Sequence, residues 1–277
     1  MTRPGGWRPK LIALDIDGTI LKGGEGAGMT HEEVTPAVHA AIRRAVDAGA
    51  HVVLASGRSP HGMTSVADLL GLHDEGAAPL WIVASNGAVV FRYPPFEVVH
   101  EEKFDARPAV QAILDRQPSA IVAVEERGIG YKVSRAFPEG ELSGDMIVTD
   151  IDELLATEVS RVIIRDPEST ADEFVKLAEE LGLHGISYVV GWTAWLDLAA
   201  VGVSKASGLE YVARELGIDA ADALAVGDGR NDLEMFEWAG RSVAMGQAIQ
   251  DVIDAANDVT GSVYEDGLAT ELDRWFG

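Results

Sequence analysis

Short apolar runs and helical apolar spacings alternate along the first part of the chain. The run from Lys10 to Leu14 predicts a buried strand, and an acidic residue follows it directly. From Thr35 to Gly49 apolar side chains recur at three- and four-residue steps, opened by a Thr-Pro pair that suits a helix start and closed by a glycine. His51 to Ala55 predicts the next strand. A strand–helix–strand unit of this kind predicts two parallel strands.

Predicted strands and helices continue along the chain, and their pattern changes near Pro95. Before that point we predict a helix from Pro60 to Gly71, a strand from Trp81 to Ala84 and, after an Asn-Gly turn typical of hairpins, a returning strand from Ala88 to Phe91. Beyond it the predicted strands are Ala120–Val124, Tyr131–Val133, Val159–Ile164 and Ile186–Val190, and the predicted helices are Pro108–Arg116 and Ser169–Leu181. Past Gly191 the predicted elements are helix Ala206–Leu216, strand Ala223–Val226, helix Asn231–Ala239, strand Ser242–Ala244 and helix Gln247–Ala256.

This order predicts an α/β protein in which one domain interrupts another. Residues 1–94 and 191–277 form the predicted core, a Rossmann-like parallel sheet with helices, and residues 1–9 are expected to be flexible. Residues 95–190 form a predicted α+β domain. It is inserted rather than appended, because the alternation of strands and helices resumes after it.

Composition narrows the possible functions. Of 277 residues, 47% are apolar and 24% are charged, which is typical of a folded globular protein. Cysteine is absent, so disulfides and thiolate metal sites are excluded. The net charge of −23 disfavours nucleic acid and anionic membranes as partners. No apolar run approaches the roughly 20 residues of a membrane span. The segment from Met1 to Pro9 lacks the apolar part of a signal peptide. We therefore expect a cytoplasmic protein with a small-molecule partner; the sequence does not indicate an oligomeric state.

Two carboxylates follow the first predicted strand. Asp15 and Asp17, in the sequence Asp-Ile-Asp-Gly-Thr, are expected on the same side by strand alternation. Ligand sites of open α/β sheets cluster at such strand ends. Neighbouring carboxylates repel and favour a cation, although the spacing does not fit a calcium loop, which requires glycine sixth and glutamate twelfth. An ordinary acidic turn is the alternative.

Three further segments end at the same predicted edge. Asp228 stands between two glycines after the strand Ala223–Val226, which favours metal binding. Asp232 suits either that site or the start of the following helix. The sequence Ser56 to Arg58 ends a strand ahead of a helix and suits a phosphate cradle. Lys205 opens a helix, where a lysine is electrostatically disfavoured, so it belongs either to a site or to the solvated surface.

Taken in order, these motifs resemble the haloacid dehalogenase (HAD) superfamily, and within it the Cof-type phosphatases with a C2-type (IIB) cap. The resemblance rests on Asp-Ile-Asp-Gly-Thr, Ser-Gly-Arg, a lone lysine and Gly-Asp-Gly-Arg-Asn-Asp. It extends to the segments Ser85–Ala88, Val203–Ala206 and Asn231–Phe236, and it covers Lys10 to Val90 and Asp197 to the end. Across the inserted segment, which is a variable cap in this family, the resemblance is weak.

The resemblance implies a role for each matching residue. Asp15 would be the nucleophile that attacks phosphorus. Asp17 would protonate the leaving alcohol and then activate the water that hydrolyses the aspartyl phosphate. Ser56 and Lys205 would bind phosphoryl oxygens. The further candidates for substrate or phosphate binding are Gly18, Gly57, Arg58, Asn86 and Asn231.

The implied cofactor is Mg²⁺. Its expected ligands are the carboxylates of Asp15 and Asp228 and the backbone carbonyl of Asp17, with Asp232 supporting the site. Oxygen ligands of this kind are those that Mg²⁺ takes in proteins.

The implied activity is a Mg²⁺-dependent phosphatase that hydrolyses a small phosphorylated metabolite, either a sugar phosphate or a phosphorylated cofactor, through an aspartyl-phosphate intermediate. One alternative is a phosphosugar mutase on the same fold. Another is a non-catalytic regulator that binds a phosphate ligand; such a protein is expected to lose Asp15, Asp17 or Lys205, and this chain keeps all three. Residues 95–190 would be the cap. The stretch Gly23 to Gly28 would be a mobile flap or a plain loop.

Overall fold

The computed structural model describes residues 6–22, 32–72, 78–138, 140–166, 168–170, 186–190 and 195–277, together with 173, 176–177 and 180–181. The stretch Gly23 to Gly28 lies outside the described residues, as do parts of the predicted helix Ser169–Leu181.

The strands are β1 (Leu11–Leu14), β2 (His51–Ala55), β3 (Leu80–Ala84), β4 (Val89–Tyr93), β5 (Glu97–Glu101), β6 (Ile121–Glu126), β7 (Gly130–Val133), β8 (Asp145–Val148), β9 (Val162–Arg165), β10 (Ile186–Val190), β11 (Trp195–Ala200), β12 (Ala223–Gly227), β13 (Arg241–Ala244) and β14 (Asp258–Val259). The α-helices are α1 (Pro36–Asp47), α2 (Pro60–Leu70), α3 (Arg107–Arg116), α4 (Ile151–Leu154), α5 (Lys205–Leu216), α6 (Leu233–Trp238), α7 (Gln250–Ala255) and α8 (Gly267–Phe276).

An eight-stranded sheet has the order β14-β13-β12-β1-β2-β3-β4-β5. The strands from β14 to β3 in this order are parallel to their neighbours, and β4 is antiparallel to β3. Leu14 in β1 lies opposite Val226 in β12 and Leu54 in β2. This register brings the carboxyl ends of the three central strands level with one another, so the residues that follow them share one edge of the sheet.

Helix α1 forms where the sequence predicts it, for the expected local reasons. The Thr35 hydroxyl accepts a hydrogen bond from the backbone N–H of Val38 at 3.3 Å, which satisfies one of the free donors of the first turn. Pro36 occupies the first helical position. Gly49 ends the segment with φ of 88°, a conformation that glycine adopts without strain. The helix buries Val38, Ala41, Ile42 and Ala45, which are four of the positions that define its apolar face.

A six-stranded sheet has the order β10-β11-β9-β6-β7-β8. Its pairs are antiparallel except for β7 and β8, which are parallel. One apolar cluster joins residues of β6, β9 and β11 to residues of α3 and α4; among its members are Val110, Ile113, Val122, Leu154, Ile164 and Leu198. A separate cluster includes Ile121, Tyr131, Val133, Phe137 and Ile163. Because strand side chains alternate between faces, neighbouring residues of β6 and β9 fall in different clusters.

The chain divides into two compact units, one made of residues 1–58, 63–100 and 204–277 and the other of residues 59–62 and 101–203. The predicted α/β fold class is confirmed. Two strands lie on the other side of the predicted domain limits. Strand β5 belongs to the eight-stranded sheet although it follows residue 95, and β11 belongs to the six-stranded sheet although it follows residue 190. The domain limits themselves stay a prediction. Across the described part of the chain, no helix combines the length and apolarity needed to cross a membrane.

Candidate functional site

The carboxyl ends of β1, β2 and β12 assemble the predicted site residues. The backbone N–H of Asp15 donates to the carbonyl of Val226 at 3.0 Å, which continues the β1–β12 ladder by one residue. The backbone N–H of Ser56 donates to the carbonyl of Val83 at 2.9 Å and extends β2 in the same way. The first carboxylate and the serine therefore stand on rigid strand ends rather than on free loops.

Lys205 lies at the centre of the site. Its side chain is 0% exposed. Its Nζ donates to Oδ1 of Asp15 at 2.6 Å and to Oδ1 of Asp232 at 2.6 Å. Burial by itself lowers the pKa of this lysine, but the two carboxylates more than offset that effect, so its pKa is raised and it stays charged. Lys205 is buried against two of the candidate carboxylates, so the alternative of a solvated surface lysine is wrong.

The first turn of helix α5 tolerates this lysine because another side chain caps the helix. The Ser204 hydroxyl accepts from the backbone N–H of Ser207 at 3.4 Å, and the Ser207 hydroxyl accepts from the backbone N–H of Ser204 at 3.1 Å. This reciprocal pair satisfies donors at the helix start. The unfavourable position of a cation there is offset by the two buried carboxylates that it contacts.

Asp232 links the buried lysine to the turn that follows β12. Its Oδ1 accepts from Lys205. Its Oδ2 accepts from the backbone N–H groups of Asp228 at 2.9 Å and Gly229 at 2.8 Å. One carboxylate therefore fixes both the buried lysine and the turn after β12, and this turn sets the position of Asp228.

Three carboxylates converge beside the lysine. Oxygen atoms of Asp15, Asp228 and Asp232 lie within 4.8 Å of one another. Burial raises the pKa of Asp15 well above its usual range; Lys205 opposes this shift, and the neighbouring aspartates add to it. Burial also raises the pKa of Asp228, to about 6. A single lysine does not balance three clustered carboxylates, so the donor set and its excess negative charge fit a hard divalent cation such as Mg²⁺.

Gly18 and Gln247 complete this part of the site. A Cβ on Gly18, whose φ is 84°, would stand 2.0 Å from Oδ2 of Asp228, so only glycine lets the two loops approach this closely. Nε2 of Gln247 donates to the Gly18 carbonyl at 2.6 Å and to Oδ2 of Asp228 at 3.1 Å. Its Oε1 accepts from the backbone N–H of Val263 at 2.9 Å. Gln247 is not among the residues selected from the sequence, although its place shortly after strand β13 is a signal that could have pointed to it.

The side chain of Asp17 pairs with Arg58. Nε of Arg58 donates to Oδ2 of Asp17 at 2.8 Å, and Nη2 donates to Oδ1 at 2.6 Å. Nη1 of Arg58 contacts Glu32. Asp17 is therefore close to Asp15 in sequence, but its side chain forms hydrogen bonds with Arg58. The guanidinium group of Arg58 contacts the carboxylates of Asp17 and Glu32.

The remaining candidates form a network after β2 and β3. The buried Ser56 hydroxyl accepts from the backbone N–H of Arg58 at 3.2 Å. The side-chain Oδ1 of Asn86 accepts from Nδ2 of Asn231 at 3.0 Å. A Cβ on Gly57 would lie 3.1 Å from the Asn86 amide oxygen. Apart from Lys205, which begins helix α5, the residues selected from the sequence follow β1, β2, β3 or β12.

Known proteins resemble this chain over nearly its whole length, both in sequence and in structure. The family model for haloacid dehalogenase-like hydrolases matches residues 12–272. The phosphoglycolate phosphatase of Natronomonas pharaonis is 30% identical, with 95% of this chain and 96% of the relative covered. The putative phosphatase YxeH of Bacillus subtilis is 29% identical, with 94% of this chain and 96% of the relative covered. Among solved structures, the HAD-superfamily phosphatase BT1666 of Bacteroides thetaiotaomicron superposes with a TM-score of 0.79 at 26% identity, covering 99% of this chain and 98% of the other.

Proposed function

Because this chain belongs to the haloacid dehalogenase-like hydrolase family, we propose that it is a Mg²⁺-dependent phosphatase that acts on a small phosphorylated metabolite through an aspartyl-phosphate intermediate. The family resemblance read from the sequence is confirmed, and the protein is a hydrolase of this family. The single observation that carries the proposal is the contact of buried Lys205 with Asp15 and Asp232 beside Asp228. This contact supports the proposal because it joins the proposed nucleophile, a fixed cation and a carboxylate that neighbours the proposed metal ligand Asp228.

In the proposed first step, a carboxylate oxygen of Asp15 attacks the phosphorus of a phosphate monoester. The P–O bond to the leaving alcohol breaks, and the alkoxide takes a proton from Asp17. In the second step, Asp17 takes a proton from water, the hydroxide attacks phosphorus, and the bond between phosphorus and Asp15 breaks to release inorganic phosphate. A carboxylate nucleophile divides one difficult displacement into two easier ones.

Fixed positive charge supports both displacements. Lys205 contacts an oxygen of Asp15, which supports a role for its ammonium group in holding a phosphoryl oxygen next to the proposed nucleophile. Ser56 and Asn231 are proposed to donate hydrogen bonds to the same phosphoryl group, with Asn86 orienting Asn231 through their amide contact. Such groups act on the charge that spreads over the phosphoryl oxygens in the transition state.

The three-carboxylate cluster is the proposed Mg²⁺ site. The carboxylates of Asp15 and Asp228 and the backbone carbonyl of Asp17 would hold the ion, and Asp232 would support it. When bound, Mg²⁺ offsets the negative charge that keeps a phosphate dianion away from a carboxylate. Gln247 and Gly18 keep the Asp228 carboxylate in place for this purpose.

The relatives support the proposed class of substrate. A phosphoglycolate phosphatase that matches nearly the whole chain supports a small phosphorylated metabolite, a sugar phosphate or a phosphorylated cofactor being the candidates. We also propose that the inserted residues, near 95–190, act as the cap domain of the family and contribute to substrate choice. A cytoplasmic location stays a prediction.

The test is phosphate release from a panel that contains sugar phosphates, flavin mononucleotide, pyridoxal phosphate and p-nitrophenyl phosphate. Each compound is assayed with Mg²⁺, with chelator, and with Asp15→Asn. We expect release that requires both the ion and Asp15. Asp251→Asn is the matched control, because this aspartate forms an exposed pair with Arg230. No release from any compound by folded, Mg²⁺-loaded protein would contradict the proposal, and conversion to an isomeric sugar phosphate without release would identify a mutase.

A further inference from the structure

Arg58 forms a bidentate salt bridge with the Asp17 carboxylate. Its Nε and Nη2 atoms donate to the two different oxygens of Asp17, at 2.8 and 2.6 Å. A guanidinium group matches a carboxylate in this geometry, and the paired bonds fix the plane of the carboxylate as well as its position. Arg58 is 7% exposed, so the pair is largely shielded from water.

Arg58 is itself held at several points. Its Nη1 donates to Glu32. Its backbone N–H donates to the Ser56 hydroxyl at 3.2 Å, and its backbone carbonyl accepts from the N–H of Ser85 at 2.8 Å. These contacts anchor both ends of the arginine to neighbouring segments of the core. A group anchored in this way can impose its geometry on a carboxylate that stands in a glycine-containing loop.

We propose that Arg58 is the positioning residue for Asp17, acting on proton transfer through that carboxylate rather than by binding the phosphate of the substrate. The inference rests on the proposed function. An ionised carboxylate has about four lone-pair directions, and the arginine takes one on each oxygen. Each oxygen of Asp17 therefore keeps one direction for the proton that it exchanges with the leaving alcohol or with water. The sequence left Arg58 open between contact with the substrate and a pair with a core acid, and the structure shows it paired with Asp17 and Glu32.

A positioning role makes a specific kinetic prediction. Proton donation matters for an alkyl leaving group and matters little for p-nitrophenolate, which leaves readily without a proton. We expect Arg58→Gln and Arg58→Lys to lower kcat/KM for glycerol phosphate by about 100-fold, the lower end of the usual range for general acid catalysis. For p-nitrophenyl phosphate the loss in kcat/KM should be less than about tenfold. Lysine should not restore the loss, because a single ammonium group cannot hold two oxygens.

A double-mutant cycle gives an independent readout. Once Asp17→Asn has removed the carboxylate, adding Arg58→Gln should lower kcat/KM for glycerol phosphate by no more than about twofold further. Residues that act through one another are non-additive in this way. An arginine that bound the phosphate directly would instead multiply the two losses, and its replacement would slow both substrates alike.

The controls separate this inference from the proposed function. Arg44→Gln removes an exposed arginine–aspartate pair between α1 and α8 and should leave the hydrolysis of both substrates unchanged. Equal losses on the two substrates, rescue by Arg58→Lys, or additive losses in the cycle would each overturn the positioning role while leaving the phosphatase intact. Activity that persists in Asp15→Asn would overturn the proposed function instead. If Arg58→Gln lowers the midpoint of thermal unfolding, Arg58→Lys, which keeps the charge, still tests the proposal.

Discussion

Replacing Lys205 with methionine removes the ammonium group that contacts the buried carboxylates of Asp15 and Asp232, at 2.6 Å from each. Breaking a buried ion pair from one side costs about 3–5 kcal/mol, because the partner charge is left without compensation. We therefore expect Lys205→Met to lower the free energy of unfolding by about 3–5 kcal/mol at pH 7.5 in chelator. That is a large part of the roughly 5–15 kcal/mol of a typical domain.

The pH dependence of this loss follows from Asp15. Burial raises its pKa in the folded protein above the unfolded value, and Lys205 opposes that shift. A carboxyl with a raised folded pKa contributes stability that is present below the unfolded pKa and is lost as the pH rises through the folded one. Without the lysine the pKa of Asp15 rises further. The difference between Lys205→Met and the wild type should accordingly shrink from pH 7.5 to pH 5.

Urea unfolding followed by circular dichroism measures both quantities. The matched control is Lys10→Met, since Lys10 pairs with Asp222 at 2.7 Å but its side chain is 66% exposed. Exposed pairs contribute little to stability, so this variant should be close to the wild type. A loss in Lys205→Met no larger than that in Lys10→Met, or a loss that is the same at both pH values, would refute the argument from buried charge.

Three further predictions concern the surroundings of the site and the core. Gly18→Ala should lower the free energy of unfolding by at least about 1–2 kcal/mol in urea titration, because φ of 84° is strained for alanine and the new Cβ meets Asp228. Gln247→Ala should raise the Mg²⁺ concentration for half-maximal thermal stabilisation by about tenfold, because the carboxylate of Asp228 loses a donor that orients it. Hydrogen bonds, first from Arg241, lower the pKa of Asp258 to about 2. This group therefore contributes stability above pH about 3.8 that is lost as the pH falls toward about 2. Urea titrations of Asp258→Asn and the wild type should differ at pH 7, begin to converge below pH about 3.8 and agree near pH about 2.

Local features of the sequence predicted much of the fold. An apolar run of four or five residues bounded by an aspartate or a glycine is a property of contiguous residues, and β1 and β12 form where such runs occur. Helix α1 follows from a threonine cap, a proline and apolar spacing within fifteen residues of chain. Motif order then identified the family, which the comparison confirms.

Strand membership was less predictable. Strand β5 pairs into the eight-stranded sheet and β11 into the six-stranded sheet, on the other sides of the predicted domain limits. The composition of a segment indicates whether it suits a half-buried strand. It does not indicate which strands lie beside it in the sheet, because that pairing involves residues distant in the sequence. Strands β5, β8, β11 and β14 were not predicted. Of these, β8 is exposed at a sheet edge and β14 has two residues.

By itself, the sequence determined which segments are strands and helices in most of the core, and which residues stand at the strand ends. Only the tertiary structure decided which of those residues touch. Arg58 and Asp17 are 41 positions apart, Lys205 and Asp15 are 190 apart, and Gln247 and Gly18 are 229 apart. Periodicity and capping act over a few residues, whereas such contacts depend on the sheet register that brings distant strand ends level. The partner of each side chain, and hence its chemistry, follows from that register.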